Sequence, residues 1–450
     1  MKQVEFETWK LLLSAGKLRA LAHELSEINS ADIAEFFEEI SKEQVVLLFR
    51  LFQKDQAAEV FSFLDVEKQE TLVSSFADAD LHNLIEELYL DDAVDLIEEL
   101  PASLVKKVLR VVSPQMRESL NRYLNYPQDS AGSIMTSEYV DLREDMTVAD
   151  ALQHVQKIAL DSETAYVCYC TDSTRHLIGV LNLLDLLYAL PEQKVSDIMD
   201  SNVIFSHTSD DREQVAELIS KYDFLALPIV DNEERLVGIV TFDDAMDVVT
   251  EEATEDMERM AALVPSDAPY LKTGIFSMYK NRIFWLLFLM LSGMVSGFVL
   301  GSFEAVLAAV PLLVTFTPML TGTGGNAGAQ SATLVIRSLS LGEIGYSDWK
   351  KVWLKEVVVG LLVGFTLGTL NYLRVLLFYP SEPQASIMAI TLGVSMLITV
   401  VLSKSVGCLL PIAAKRLGAD PAVMASPLVT TIVDSLSLLI FLSIATWQML

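Results

Sequence analysis

Cysteine is nearly absent from this chain. Cys168, Cys170 and Cys408 are the whole supply in 450 residues. An odd, sparse set builds no disulfide framework and fits a reducing compartment. Cys168 and Cys170 alternate in the run AYVCYC, the pattern of core strand positions rather than of metal ligands. The five histidines are scattered, and no zinc-ligand or nucleophile–base spacing appears. No enzymatic role is therefore expected. The first ten residues, MKQVEFETWK, lack the apolar core of a signal peptide. Positive charge is scarce too, with 32 Lys and Arg against 61 Asp and Glu. From Leu271 onward the chain holds 11 basic and 7 acidic side chains, leaving 21 and 54 in residues 1–270. A soluble half of net −33 thus precedes a half of net +4. Such acidity argues against nucleic acid and anionic lipid as partners of the first half and suits cations, with a solvated acidic surface as the alternative.

A strict period occupies residues 1–130. DIAEFFEEI from Asp32, QVVLLFRLF from Gln44 and QAAEVFSFL from Gln56 each start 12 residues apart. KQETLVSSF from Lys68, DLHNLIEEL from Asp80, DAVDLIEEL from Asp92 and LVKKVLRVV from Leu104 continue the series. Apolar residues recur at the fifth, sixth and ninth positions, as in Phe36, Phe37 and Ile40. That spacing predicts short amphipathic helices, which on a fixed period stack into a superhelix.

A second repeat fills residues 131–249. AGSIMTSEYVDLREDMTVADALQHV is matched by VSDIMDSNVIFSHTSDDREQVAELI, and the segments after each also correspond. Each unit reads as strand, helix, strand, strand, helix. The pair resembles tandem cystathionine-β-synthase (CBS) domains, a regulatory module that often binds adenine nucleotides between its repeats. The nucleotide pattern of that module, Gly-h-x-Thr/Ser-x-x-Asp, has matches at Gly238, Thr241 and Asp244. It matches again at Gly179 and Asp185, with Asn182 at the hydroxyl position. The resemblance makes Asp185 the candidate ribose ligand. A purely structural pair stands beside that reading, because short motifs are weak signals.

Residues 243–258, DDAMDVVTEEATEDME, place Asp244, Asp247, Glu251, Glu252, Glu255, Asp256 and Glu258 on one helical face. Like charges at that spacing repel, and a cation relieves them. Five membrane-length segments follow, at 283–300, 306–334, 352–378, 386–411 and 421–447. Lys272, Lys280, Arg282, Arg337, Lys350, Lys351, Lys355, Lys415 and Arg416 fall on the side of the N-terminal half. The opposite loops carry no Lys or Arg. The positive-inside rule then puts the N-terminus in the cytoplasm. Gly293, Gly297 and Gly301 form one GxxxGxxxG ladder, and Gly360, Gly364 and Gly368 another, which predicts close helix packing at both. TGTGGNAGAQSATLVIR, from Thr321, lacks the ending of a phosphate loop. It is expected to be a broken, pore-side stretch offering carbonyls and Asn326.

The last segment carries a single charge, Asp434. Asp420–Pro421 reads as its helix start, which sets Asp434 ~20 Å along the helix. Thr430, Thr431 and Ser437 share its face. Pro427 is expected to free a carbonyl one turn earlier. Two readings compete: a protonated Asp bonded to a neighbouring helix, or part of a cation path. Ionisable residues inside membranes are usually functional, which favours the path.

These parts, in this order, resemble the MgtE-type magnesium channels and transporters over essentially the whole chain. GGNAGAQSAT and LGADPAVMASPLVTTIVD carry the resemblance in the membrane half. It implies a multidomain fold: an all-α helical superhelix (1–130), an α/β CBS pair (131–249), an acidic connecting helix (250–275) and a five-helix α-helical membrane domain (276–450). It implies a homodimer in the cell membrane with the pore between subunits. It also implies Mg²⁺ import, closed by cytosolic Mg²⁺ on the acidic domains, with ATP as a candidate modulator. Asp434 corresponds to the family's pore aspartate. The regulatory magnesium sites map onto Glu59, Asp91 and Asp95, onto Asp211, Glu213, Asp223, Asp244 and Asp247, and onto Glu252, Glu255, Asp256 and Asp420. Ala329 and Ser426 stand where some relatives have asparagine. The alternative is a CBS-regulated carrier for another divalent cation or solute. An anion path would need midplane cations, and only Arg374 and Lys404 lie in membrane segments, where both are expected to snorkel.

Overall fold

A computed structural model describes residues 2–159, 162–266, 270–271, 273–424 and 426–449. Lys272 and the side chain of Ser426, both weighed above, lie outside the described residues. The chain divides into two compact units, Met1–Thr250 and Glu251–Leu450.

The first unit opens with α1 (Lys2–Ser14) and α2 (Leu18–Leu25), then the periodic helices. These are α3 (Ser30–Glu38), α4 (Lys42–Phe49), α5 (Lys54–Ser62), α6 (Val66–Ser75), α7 (Asp78–Ile85), α8 (Leu90–Glu99), α9 (Ala102–Val111) and α10 (Pro114–Tyr123). Each starts 12 residues after the last, as the apolar spacing predicts. Side-chain caps set several starts. Ser41 and Gln44 form a capping box, Asp65 accepts from the Lys68 N–H, and Ser113 precedes Pro114. Phe36, Phe37, Leu48, Phe61, Leu72 and Ile85 are fully buried, each worth about 1.5–3 kcal/mol. Helices pack on the helix two along: α3 on α5, α4 on α6, α5 on α7, α7 on α9 and α8 on α10. Buried Lys68 donates to the Phe37 and Ile40 carbonyls that end α3, and Lys107 donates to those of Val73, Ser74 and Phe76. Such long-range caps lock neighbouring repeats together.

Two α/β modules complete the unit. The first holds β1 (Tyr139–Arg143), α11 (Val148–Ile158), β2 (Thr164–Thr171), β3 (Leu177–Asn182) and α12 (Leu183–Tyr188). After α13 (Val195–Ile198), the second holds β4 (Ser206–His207), α14 (Arg212–Tyr222), β5 (Ala226–Val230), β6 (Leu236–Thr241) and α15 (Phe242–Met260). Each sheet has one parallel and one antiparallel pairing, in the order β1-β2-β3 and β4-β5-β6. The modules exchange their lead segments. Thr136 and Ile239 bond each other's backbones, as do Val180 and Asp200. Met135 and Met199 thereby cross over Gly238 and Gly179, where a Cβ would meet their sulfurs at 2.7 and 2.5 Å. The motif glycines are therefore required by packing. Cys168 and Cys170 are buried on β2, as their alternation indicates. The core of α3–α10 continues into the second module through Ala216, Ile219, Leu227 and Ala245. The connecting helix ends at Met260 rather than near 275, and Ala262 beyond it has φ 56°.

The second unit contains α16 (Ile275–Ser302), α17 (Glu304–Ala309), a 3-10 turn, α18 (Thr317–Ser340), α19 (Trp349–Phe378), α20 (Ala385–Arg416) and α21 (Ser426–Met449). Among the described residues, four helical stretches are long and apolar enough to cross a membrane: Ile275–Ser302, Tyr346–Phe378, Ala385–Arg416 and Pro421–Met449. The expected second span, 306–334, is not one of them. Its main part is α18, rich in Gly, Thr and Ser.

Three further expectations change. α18 is a continuous helix across TGTGGNAGAQSAT, not a broken stretch, and Asn326 is exposed. Its glycines are consumed by packing. A Cβ on Gly324 would meet Thr399 at 2.8 Å, one on Gly328 would meet Val429 at 2.8 Å, and one on Gly407 would sit 2.2 Å from the Gly328 carbonyl oxygen. Next, the two glycine ladders differ. Gly360, Gly364 and Gly368 press on Val401, Leu397 and Gly393, whereas Gly293, Gly297 and Gly301 meet nothing within 4 Å. Lastly, Lys404 does not snorkel. It is 5% exposed and paired with Glu356, while Arg374 lies over the Phe316 ring, 5.3 Å from its centroid.

Gly407→Ala is expected to destabilise the membrane half by about 1–3 kcal/mol, because only backbone can give way. Gly297→Ala should be neutral or slightly stabilising, since alanine favours helix and meets open space there. Denaturation of the two detergent-solubilised variants checks this; equal stabilities would contradict the packing account.

Candidate functional site

Asp434 sits in the ninth position of α21, so it lies ~12 Å along that helix rather than ~20 Å. The helix begins at Ser426, after a 3-10 turn over Pro421–Met424 that Asp420 caps through the Ala422 N–H at 2.7 Å. Pro427 therefore falls in the first turn, where its missing N–H removes no helical bond. Its carbonyl is not left free, because Thr430 and Thr431 both donate to it, at 2.9 and 2.8 Å. Those two hydroxyls spend their protons on that carbonyl. What faces the carboxylate is α18: a Cβ on Gly325 would lie 3.6 Å from Asp434 Oδ1. Glycine here lets an anion and a helix backbone approach closely. Among the described residues Asp434 has no hydrogen-bond or ion-pair partner. Ser437, one turn on, is buried with its hydroxyl unpartnered beside Gly324.

A second carboxylate group gathers in the first unit, where α8 meets the start of α15. Burial pushes Asp91 well above the usual carboxylate range, and Asp244 and Asp92 add repulsion. Burial with repulsion from Asp244 and Asp243 raises Asp92 to about 6. Asp95 keeps a solvent-facing side, yet the protein mass around it and the charge of Asp92 lift it to about 7. Glu163 rises to about 7 by burial and by Asp244 and Asp243, and its Oε2 is buried without a partner. Asp244 and Asp247 are also raised, first by burial; the Thr241 hydroxyl bonds Asp244 and restrains its rise. No three of the described carboxylates, imidazoles or thiols converge closely enough to ligate an ion directly. Unpaired hard oxygens at this looser spacing suit a hydrated divalent ion, since Mg²⁺ usually keeps several waters.

Sequence reasoning named Asp91, Asp95, Asp244 and Asp247 here and missed Asp92, Asp243 and Glu163. A signal existed. DDAVD opens α8 and DDAMD opens α15, pentapeptides that differ only at Val94 and Met246, in the first turns of two helices. Acidic residues are favoured there by the helix dipole.

The other sites are dispersed. Glu59, on α5, accepts from the Ser30 hydroxyl at 3.0 Å. Asp211 caps the start of α14 through the Glu213 N–H at 2.8 Å, and Asp223 ends that helix at φ 55°. Those positions have local backbone roles. In the second unit, Asp256 accepts from Ser340 at 3.1 Å. Arg259 pairs with both Glu255 and Asp420, so the protein itself supplies a cation where a metal was expected. Glu252 lies on the same helix, half-buried.

At the nucleotide motif, Asp185 is exposed and accepts from the Asn182 N–H at 2.9 Å, capping α12. Its other oxygen is not engaged by any described residue. A solvent-facing carboxylate of this kind fits a ribose diol. In the second module the equivalent Thr241 and Asp244 bond each other instead.

Comparison with known proteins gives a consistent picture. The family model described as divalent cation transporter, MgtE, matches residues 317–444. The model for the MgtE intracellular N domain matches 28–129, and the CBS domain model matches 131–192 and 195–251. The magnesium transporter MgtE of Thermus thermophilus is 40% identical over 437 residues, 96% of each chain. That of Bacillus subtilis is 32% identical over 436 residues, 97% of this chain and 95% of the relative. Among solved structures, the cytosolic domain of the Mg²⁺ channel MgtE in complex with ATP is 38% identical with a TM-score of 0.52. It covers 54% of this chain and 99% of that one. The soluble part of a magnesium transporter is 29% identical with a TM-score of 0.54, covering 56% and 100%.

The raised carboxylates carry a pH signature. Their folded values exceed the unfolded ones, so the folded unit holds more protons between pH ~4 and ~7. Their contribution to stability is complete below pH ~4 and is lost as pH rises through about 6 for Asp92 and about 7 for Asp95 and Glu163. The thermal midpoint of the acidic unit, followed in the full chain without divalent ions, should fall by a few degrees from pH 5 to pH 8. Asp95→Asn should flatten the curve. A wild-type midpoint that does not move over this range would contradict the repulsion.

Proposed function

Because the chain belongs to the MgtE family of divalent cation transporters, we propose that it passes Mg²⁺ into the cell as a homodimer, with Asp434 in the ion path. The observation that carries this is the Asp434 carboxylate: without a partner among the described residues, inside apolar helices, and set against the glycine face of α18. An ionised carboxylate in such a place needs a cation. Mg²⁺ is hard and sheds water reluctantly, so a path with one carboxylate per subunit suits it in largely hydrated form. α18 forms the fifth, polar helix of the bundle and packs on α20 and α21. The basic residues flanking the helices put the acidic half in the cytoplasm. An anion finds no free partner at Lys404, which Glu356 neutralises.

The acidic unit acts as the sensor. Bound Mg²⁺ supplies two positive charges and a water shell that carboxylates can hydrogen-bond. Asp91, Asp92, Asp95, Asp244 and Glu163 repel one another without it, so high cytosolic Mg²⁺ favours the compact arrangement of α8 and α15. α15 continues past the module as the connecting helix and carries compaction toward the membrane helices. Glu255 and Asp420 take up an ion only by exchanging Arg259 for it. ATP binds between the CBS repeats, with Asp185 on the ribose. The relative solved with ATP supports this, and so does the free oxygen of Asp185.

Asp434→Ala should abolish Mg²⁺ uptake by proteoliposomes while the protein stays folded. Wild-type uptake by a well-folded Asp434→Ala protein would refute the assignment. For the nucleotide, Asp185→Ala should weaken ATP binding by about tenfold, the loss of hydrogen bonds to a charged acceptor. Calorimetry on the full chain measures it, and unchanged affinity would remove Asp185 from the site.

A further inference from the structure

Three helices of the membrane half meet at a buried charge pair that the ion path does not use. Lys404 of α20 donates to Glu356 Oε2 of α19 at 3.2 Å and to Ser331 Oγ of α18 at 3.1 Å. The Ser331 hydroxyl donates to the same Glu356 oxygen at 2.6 Å. Lys404 is 5% exposed and Ser331 wholly buried. Gly360, one turn after Glu356, leaves room for the Lys404 stem, whose Cδ would be 3.5 Å from a Cβ there. Lys404 precedes the end of α20 by about 18 Å of helix, far beyond the reach of a four-carbon stem. The pair is therefore internal to the bundle. An unpaired charge at that depth is expensive, which explains why both signs are present.

The position matters more than the pairing. On α18, Gly324, Gly328 and Ser331 fall on one side, against α20, while Gly325 abuts Asp434. Ser331 is only about 9 Å along the helix from Gly325. Whatever holds Ser331 also sets how α18 is rotated where Asp434 meets it. A bare ammonium at this distance, in apolar surroundings, would repel a divalent ion, and Glu356 removes that field.

We propose that Lys404, Glu356 and Ser331 form a charge-neutral brace that fixes the rotation of α18 and keeps the cation path beside Asp434 free of net positive charge. These are positioning residues, and the inference rests on the reading of Asp434 as part of the path. Charge sign provides a readout that a merely structural role would not move. Mg²⁺ uptake by proteoliposomes holding the full chain is measured against Mg²⁺ concentration for Glu356→Gln, Lys404→Gln and the double variant. Glu356→Gln leaves a net positive charge and should raise the half-saturating concentration by about tenfold. Lys404→Gln should shift it the other way, and the double variant should return to within about threefold of wild type. Shifts of the same sign in both single variants, or no shift in either, would overturn the proposal. If the single variants do not fold, the exchanged pair Glu356→Lys with Lys404→Glu decides. Near-wild-type half-saturation supports the brace, and a folded exchanged pair without uptake overturns it. Asp434→Ala separates the two readings. Full uptake there, with the charge-sign shifts intact, would refute the Asp434 path and leave the brace standing.

Discussion

A carboxylate held away from water needs a positive charge, and this protein meets that constraint in two ways. In some places it provides the charge itself. Lys404 neutralises Glu356 among α18, α19 and α20, and Arg259 holds Glu255 and Asp420 together. In others it provides none. Asp434 has no partner among the described residues, and Asp91, Asp92, Asp95, Asp244 and Glu163 sit close enough to raise one another. The unpaired groups are where an outside cation does most to lower the free energy. One lies among the apolar helices of the second unit and the other in the acidic first unit.

The glycine helix makes the membrane half workable. Helices in lipid gain little from the hydrophobic effect against each other, so close backbone approach has to supply the attraction. α18 obtains it by burying Gly324, Gly325 and Gly328 against α20 and α21. The small residues that make α18 polar are the ones that let its backbone come this close. The same tight packing leaves no space for side chains between α18 and Asp434.

Local order was legible in the sequence and contacts across it were not. The 12-residue period fixed every helix start from α3 to α10, because each apolar triplet must face one core. The module repeat was equally plain in Gly179 and Gly238, although their purpose, room for Met199 and Met135, is a tertiary fact. The run from Thr321 read as broken because glycine is a poor helix former in isolation. The neighbours that reward it come from α20 and α21. The start of α21 was misplaced because Asp420–Pro421 begins a 3-10 turn with the same cap chemistry as an α-helix. Lys404 read as snorkelling because its partners are 48 and 73 residues away. Glu163 joined the acidic group for the same reason, through chain folding rather than any local pattern.

The central claim is that unpaired carboxylates in the acidic unit sense the ion that Asp434 passes. The direct measurement is channel activity in excised patches as Mg²⁺ is raised on the side of the acidic unit, for wild type and for Asp91→Asn, Asp95→Asn and Asp244→Asn combined. The wild type should close as Mg²⁺ rises through the millimolar range, and the triple variant, freed of the repulsion that makes closure ion-dependent, should lose that dependence. A triple variant that closes at the same Mg²⁺ concentrations as the wild type would show that these carboxylates are not the sensor.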